Sequence, residues 1–421
     1  MPEKFDVLII GAGPAGLSTA LKLAKSGLKI AIFDKAVFPR EKTCGDGLTF
    51  DVINQLADVS ESLNEAFKQF PKKQESREAM MFSPDFSRMS IPLQYGQLGQ
   101  PFYTCRRIDF DHLMFQQLKQ HKNISVFENC KVQKVEIKDE RVLLTANDSF
   151  FEGSMLVGSD GANSMFFRAM KINRIQKEHQ AVGLTTYYSG LEPLNQNNPI
   201  ELYFLKDLLP YYLWIFHLPG GMANVGICML ASAISKQKVN FNQMFEDLLA
   251  SEPFKSRFLN AKRESKVKGH MLPSGFNKRT ISGNRFLLAG DAASLIDPFT
   301  GEGVGNAIRS GRVAAEHIAD CFRENDFSAD FNKKYDDEIY RRRLPEYKMN
   351  HVFRNLCRYP WLLNYVFGSV DRYPDLEKKL NLAFFELQSN TVKSKIVFIY
   401  KTLAIFSIQR LIVSVFGKKR T

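Results

Sequence analysis

Cysteine is scarce and scattered. The six in this chain of 421 residues stand at 44, 105, 130, 228, 321 and 357, with no Cys-x-x-Cys pair and no zinc-finger spacing. That pattern argues against a disulfide framework and against a metal site, and reduced thiols are expected. Long hydrophobic runs are also missing. Nothing approaches the roughly 20 apolar residues that cross a bilayer, and the mean hydropathy is −0.23, which excludes an integral membrane protein. The first apolar run, Val7 to Ile10, breaks after four residues at Gly11, so no export signal is expected and the chain reads as cytoplasmic. The low-hydrophobicity, high-charge signature of disorder is absent too, with 44% hydrophobic and 24% charged residues. At about 150 residues per domain the length suits two to three domains.

Charge of one sign does dominate one place. The net charge is +12, and seven of those charges (Lys393, Lys395, Lys401, Arg410, Lys418, Lys419, Arg420) fall between Thr391 and Thr421, where no Asp or Glu occurs. A uniformly basic, nucleic-acid-binding surface is therefore not indicated, and no nucleic-acid fold signature accompanies the charge.

The organisation opens with Phe5 to Ile10, a short buried-type strand, then a glycine turn, a helix over Leu17–Ser26 stopped by Gly27, and a second strand, Lys29–Phe33, ending at Asp34. Strand, turn, helix, strand is a βαβ unit and predicts a doubly wound parallel sheet. Ile108–Lys119 reads as a helix, and Ile124–Phe127, Val132–Ile137 and Met155–Gly158 as strands. The stretch from Glu178 to Gly269 differs in kind. Its aromatic and β-branched runs Ala181–Tyr188, Tyr211–Leu218 and Ala223–Met229, punctuated by Asn, Pro and Gly, predict an inserted antiparallel sheet. Phe286–Ala289 returns to the buried-strand pattern, Gly303–Cys321 reads as a helix, and the chain from Phe327 onward is helical in composition. The fold class is thus α/β: a Rossmann-type nucleotide-binding domain (1–70, 101–177, 270–325), an inserted antiparallel-sheet substrate domain (71–100, 178–269), and a C-terminal helical region (326–421) with a basic apolar tail.

The first glycine turn, Gly11-Ala12-Gly13-Pro14-Ala15-Gly16, follows a strand and opens a helix, with Asp34 ending the next strand 23 residues after Gly11. Gly11 permits the turn, Gly13 lets the backbone approach a pyrophosphate, Gly16 permits close packing, and the helix N-terminus attracts the anion. Asp34 can accept hydrogen bonds from a ribose diol. This fingerprint alone does not separate FAD from NAD. No second complete unit appears, because Gly301-x-Gly303-x-Gly305 has the wrong spacing.

A second cluster, Leu287-Leu288-Ala289-Gly290-Asp291-Ala292-Ala293 with Asp297-Pro298 and Gly301-Glu302-Gly303-Val304-Gly305, resembles the FAD-dependent oxidoreductases of the aromatic-hydroxylase, glutathione-reductase-like superfamily. The resemblance implies that Asp291 holds the ribityl chain and that the helix after Gly303 faces the flavin pyrimidine edge. A helix dipole there stabilises an anionic reduced flavin. Val157-Gly158-Ser159-Asp160-Gly161-Ala162-Asn163-Ser164, with Arg168 beyond, and Arg107-Ile108-Asp109-Phe110-Asp111 resemble that superfamily's Asp-Gly and Arg-containing motifs.

The loop Phe38-Pro39-Arg40-Glu41-Lys42-Thr43-Cys44-Gly45-Asp46-Gly47-Leu48 is similar to the Cys-Gly loop of the geranylgeranyl reductase family, which saturates double bonds of isoprenoid chains. Tyr212-Leu213-Trp214-Ile215-Phe216 resembles that family's Tyr-x-Trp-x-Phe element, and Ala223-Asn224-Val225-Gly226 its following strand. His217 stands where the family usually has proline. Taken together, the resemblance implies FAD contacts at Gly11, Gly13, Pro14, Ala15, Gly16, Asp34, Lys35, Arg40, Cys44, Gly45, Arg107, Asp160, Gly161, Gly290, Asp291, Pro298, Gly301, Gly303, Val304 and Gly305. It implies substrate contacts at Asp46, Gly47, Tyr212, Trp214 and Phe216.

Two readings of several residues stand side by side. Alternating Tyr212, Trp214 and Phe216 can wall a long apolar ligand or simply fill a core. Cys44 is either a small buried hydrophobe or a neighbour of the flavin. His217 is a candidate proton donor or a structurally hydrogen-bonded histidine. Activity divides likewise: hydride delivery from flavin to an isoprenoid lipid or quinone side chain, class A aromatic hydroxylation, or a non-catalytic flavin-bearing lipid carrier. A halogenase is disfavoured, since Trp214 and Trp361 are the only tryptophans and no Trp-x-Trp-x-Ile-Pro element can be written. NAD(P)H bound transiently, or an external reductase, would supply electrons. The apolar stretch Ile396–Phe416 is either packed on its own domain or, with residues 391–421, a peripheral anchor on the inner face of an anionic membrane.

Overall fold

The computed structural model describes residues 2–93, 102–166, 177–275 and 277–372. Arg168 and the tail 391–421 lie outside the described residues.

The expected βαβ unit forms. Val7–Ile10 and Ile30–Phe33 pair in parallel, Ile10 opposite Phe33, with the helix Pro14–Leu23 crossing between them. All eight strand residues are buried, as a sheet covered on both faces requires. The sheet has six strands in the order Ser282–Gly283, Phe286–Leu288, Met155–Gly158, Val7–Ile10, Ile30–Phe33, Ile124–Phe127, and only the first pairing is antiparallel. One face is covered by Pro14–Leu23 and Val304–Glu324, which cross where Gly311 faces Ala15. A Cβ at Gly311 would overlap the Ala15 carbonyl, so only glycine allows this approach. A four-stranded sheet (Glu3–Lys4, Ser149–Gly153, Val142–Ala146, Val132–Ile137) covers part of the other face.

The inserted sheet has eight strands. Seven run in the order Lys262–Arg263, Gln180–Ser189, Met222–Leu230, Leu213–Leu218, Ile200–Tyr203, Glu78–Phe82, Arg88–Pro92, and Lys268–Pro273 also pairs with Gln180–Ser189. Two details depart from the sequence expectation. The pairing of Ile200–Tyr203 with Glu78–Phe82 is parallel, and Lys268–Pro273 carries the sheet beyond residue 269. A third departure is the small sheet of Gly47–Leu48, Phe102–Thr104 and Gln74–Ser76, which draws Gln74–Ser76 towards the nucleotide-binding part.

One face of the eight-stranded sheet packs Leu213, Ile215, Val225 and Ile227 against helix Phe241–Ala250 through Phe241, Phe245 and Leu249. The other face turns towards the nucleotide-binding domain. Helix Ala329–Leu356 returns along that domain, burying Tyr335, Ile339 and Tyr347, and helix Pro360–Arg372 lies against the far end of the inserted sheet. Among the described residues no helix is long and apolar enough to cross a membrane.

Candidate active site

One continuous cavity of about 890 Å³ runs from the first glycine turn to the aromatic strand of the inserted sheet. That volume lies in the upper part of the usual range for ligand sites. At one end its walls are Gly11, Gly13, Pro14, Ala15, Asp34, Lys35, Arg40, Lys131, Asp160 and Gly161. The middle is formed by Lys42, Cys44, Gly45, Gly47, Thr49, Arg107, Gly290, Asp291, Gly301, Glu302, Gly303 and Val304. At the far end the walls are apolar: Ala79, Met81, Ile91, Phe102, Ile200, Leu202, Phe204, Tyr212, Trp214, Phe216 and Phe299 among them.

The glycine-lined end has the features an FAD pyrophosphate and sugar require. Gly11 has φ +95° and its N–H donates to the Phe33 carbonyl at 2.7 Å, closing the turn. The Asp34 carboxylate accepts the Ala12 N–H and the Ala36 N–H, each at 2.9 Å, which fixes it at the strand end. A Cβ at Gly161 or Gly301 would meet nothing within 4 Å, so both glycines leave space open at the wall. Asp160 Oδ1 is buried and accepts no hydrogen bond among the described residues, leaving an acceptor for a ligand hydroxyl. Neither Gly13 nor Gly303 provides a side-chain cap, so the N–H groups opening both helices remain available to an anion.

Arg107 donates to Asp111 through both Nε and Nη2, at 2.7 and 2.8 Å. Burial works against its charge, but Asp111 and Cys44 outweigh burial and hold it more firmly protonated than an ordinary arginine. Arg40 adds a second cation, 3.3 Å from Asp111 and 3.6 Å from Asp34.

The Cys-Gly loop is fixed by Asn224, which uses its full hydrogen-bonding capacity. Its amide donates to the Cys44 carbonyl and to Asp46 Oδ2, each at 2.8 Å. Its carbonyl accepts Trp214 Nε1 at 2.9 Å and the Thr185 hydroxyl at 2.6 Å. Asp46 also accepts the Tyr187 hydroxyl at 2.7 Å and the Arg107 N–H at 3.0 Å. Burial raises the Asp46 carboxyl to about 6 against these three bonds.

The structure corrects five placements expected from sequence. Asp46 is fully buried and does not reach the cavity wall; its carboxylate is a fastening point, taken up by Asn224, Tyr187 and the Arg107 N–H. His217 is on the wrong face of its strand. Tyr212, Trp214 and Phe216 face the cavity, so alternation points His217 the other way, where Nε2 lies 3.0 Å from Glu201 and Arg257 completes the ion pair at 2.8 Å. Pro298 offers only its carbonyl, which accepts the Tyr211 hydroxyl at 3.1 Å. Gly305 lies outside the cavity, where a Cβ would crowd Glu302 and Asp51. Gly16 is likewise off the wall, tucked against the Gly11 carbonyl and Ser159 in its expected packing role.

Three wall residues were not singled out from sequence. Glu302 accepts the Thr49 hydroxyl at 2.6 Å, and burial together with the nearby Asp51 carboxylate raises it to about 7. Lys42 Nζ lies 2.6 Å from His270 Nε2, which is 3.8 Å from Asp291. Burial lowers Lys42, whereas for Asp291 the His270 hydrogen bond and the Lys42 charge outweigh burial and lower its carboxyl. The available signal for Glu302 was a lone carboxylate among glycines. For His270 and Lys42, 228 residues apart, sequence offered none.

Comparison with known proteins agrees with this geometry. Residues 4–203 match the family described as FAD binding domain. Digeranylgeranylglycerophospholipid reductase of Methanosarcina mazei is 27% identical over 362 residues, covering 80% of this chain and 82% of that protein. Menaquinone reductase of Mycobacterium tuberculosis is 28% identical over 335 residues, covering 75% and 76%. A geranylgeranyl bacteriochlorophyll reductase-like protein from Thermoplasma acidophilum has the same fold, with a TM-score of 0.76 at 21% identity over 95% of this chain and 96% of that one. The chain is therefore an FAD-dependent oxidoreductase, with an FAD binding domain over residues 4–203, and its sequence and fold are similar to those of geranylgeranyl reductase-like proteins.

Proposed function

We propose that this protein saturates carbon–carbon double bonds in a long apolar chain of isoprenoid type, carried on a lipid or a quinone. The observation that carries this reading is the continuity of one cavity, glycine-lined at one end and walled by Tyr212, Trp214 and Phe216 with Met81, Ile91 and Leu202 at the other. An apolar chain lying along that wall meets the cofactor site without crossing water.

Gly11, Gly13, Pro14 and Ala15 hold the FAD pyrophosphate in this reading, Asp34 the adenosine ribose, and Asp291 with Gly290 the ribityl chain. Arg107, Cys44 and Gly45, which line the middle of the cavity, would hold the ring system, and Gly301, Gly303 and Val304 would hold its pyrimidine edge. Bound there, FAD supplies a hydride, so that the protein must deliver one proton to the neighbouring carbon. Glu302 is our candidate for that proton. It lines the cavity, the Thr49 hydroxyl orients it, and its raised affinity for the proton keeps it largely protonated up to neutral pH. Electrons reach the site from transiently bound NAD(P)H or from an external reductase.

Glu302→Gln tests the assignment. Reduction by dithionite and the flavin spectrum should be retained, while alkene saturation falls by about 100-fold or more. In the unsubstituted enzyme the rate should decline as pH rises through about 7, because the acid form is lost there. The variant should show no such decline. A rate within a few-fold of the original, with an unchanged pH profile, would remove Glu302 from the mechanism.

A further inference from the structure

Large apolar side chains cluster on the outside of the C-terminal helices. Val352 and Leu356, one turn apart on helix Ala329–Leu356, are exposed, as are Tyr359 in the turn and Trp361 and Tyr365, one turn apart on helix Pro360–Arg372. Trp361 is 66% exposed. Phe86, at the tip of the hairpin formed by Glu78–Phe82 and Arg88–Pro92, is exposed beside them, and the neighbouring Asp85 N–H donates to Asn364 Oδ1 at 3.2 Å. Apolar surface of this kind on a folded protein marks an interaction site.

We propose that this surface docks on an anionic phospholipid bilayer. Three observations select a bilayer. The cluster is rich in Trp and Tyr, whose rings have an apolar body and a polar edge and settle at the level of lipid headgroups. Cations flank it: Lys348 continues the Val352 and Leu356 stripe by one turn, Arg358 lies in the turn, and Arg88 follows Phe86. None of the three forms an ion pair among the described residues, and Asp85 is the acid among them. The third observation is continuity with the cavity. The inner face of helix Pro360–Arg372 packs Leu363 and Phe367 onto Ala79, Met81, Ile91, Ile200 and Phe204, and these same sheet residues line the apolar end of the cavity. A single helix thus separates the exposed cluster from the proposed chain-binding wall.

Docking is a property of the surface and stands apart from the chemistry. Its consequence, that an apolar chain passes from the bilayer past this helix into the cavity, rests on the reductase reading above.

The two tryptophans make the test direct, since Trp214 is only 8% exposed and faces the cavity. The full-length holoprotein is mixed with vesicles of phosphatidylcholine, with and without phosphatidylglycerol, carrying brominated acyl chains. Lipid-dependent quenching and a blue shift of tryptophan emission are expected with the anionic vesicles, and Trp361→Phe should abolish both. Lys348→Ala with Arg358→Ala should weaken vesicle binding about thirtyfold, at about 1 kcal/mol for each cation near the surface. Vesicle binding with Trp361 neither quenched nor shifted would overturn the proposal and assign attachment to another part of the chain, such as 391–421. No vesicle binding, or burial of Trp361 by self-association without lipid, would overturn it as well. Alkene reduction is not read in any arm, so failure here leaves the proposed chemistry untouched.

Discussion

At the residue scale the site depends on one amide. Asn224 joins Cys44, Asp46, Thr185 and Trp214, so the Cys-Gly loop, the strand Gln180–Ser189 and the aromatic wall share a single fastening. Removing a buried hydrogen-bonding partner costs about 1–3 kcal/mol for each group left unsatisfied. Asn224→Ala leaves the Trp214 indole N–H, the Thr185 hydroxyl and the Cys44 carbonyl short of a partner; Thr185 retains its bond to the Val225 carbonyl at 3.1 Å. We expect a loss of about 3 kcal/mol of stability, measured by denaturant unfolding, with weaker retention of FAD on dialysis. A change below about 1 kcal/mol would show that the network carries little. The role of Asn224 was not legible in the sequence, where it appeared only inside a strand-like segment, because its partners lie 10 to 180 residues away. His217 is the opposite case. The alternation that put Tyr212, Trp214 and Phe216 on one face already assigned His217 to the other, so that error came from residue type overriding strand period.

At the scale of elements, local pattern and structure agree where one signal dominates. The strands Ile124–Phe127, Val132–Ile137 and Met155–Gly158 have the expected bounds, and the first helix starts at Pro14, earlier than its apolar spacing implied, because proline suits the first helical turn. Missed elements carry mixed signals. Val142–Ala146 and Ser149–Gly153 form a hairpin whose second strand has exposed Phe150, and Phe50–Val59 follows a loop read for chemistry rather than for helix. The parallel pairing of Ile200–Tyr203 with Glu78–Phe82 joins segments about 120 residues apart, which no local pattern encodes.

The crossing of helices Pro14–Leu23 and Val304–Glu324 is the contact that brings the two glycine motifs to one cavity. It depends on Gly311, and Thr19 reinforces it by donating to the Ala15 and Gly311 carbonyls at 2.9 and 3.0 Å. Gly311→Ala should separate the helices and cost about 1–3 kcal/mol, seen as a lower Tm and weaker FAD binding together. An unchanged Tm would mean that the crossing is more yielding than its packing indicates.

At the scale of the whole molecule, a Rossmann-type sheet and an inserted sheet face each other across one cavity, and the C-terminal helices close its apolar end. The glycine motifs, Asp34 and Asp291 were legible because nucleotide binding leaves a pattern at fixed short spacing. The apolar wall was legible only for its one alternating strand. Its other members come from Glu78–Phe82, Arg88–Pro92 and Ile200–Tyr203 with Phe102, Phe204 and Phe299 beside them, and only the fold assembles them. The exposed aromatic cluster was invisible for the same reason, since the hairpin tip that carries Phe86 meets helix Pro360–Arg372 only in the fold, where the Asp85 N–H donates to Asn364.

In the proposed reaction this cavity presents an alkene to a reduced flavin, and no oxygen is consumed. The most direct measurement is anaerobic: the holoprotein is reduced with dithionite, a geranylgeranyl-type lipid is added, and the visible spectrum and product mass are followed. The flavin should reoxidise without oxygen, and the product should gain two mass units for each bond saturated. A flavin that ignores the alkene, and reoxidises only when oxygen is admitted together with an aromatic acceptor that becomes hydroxylated, would contradict it.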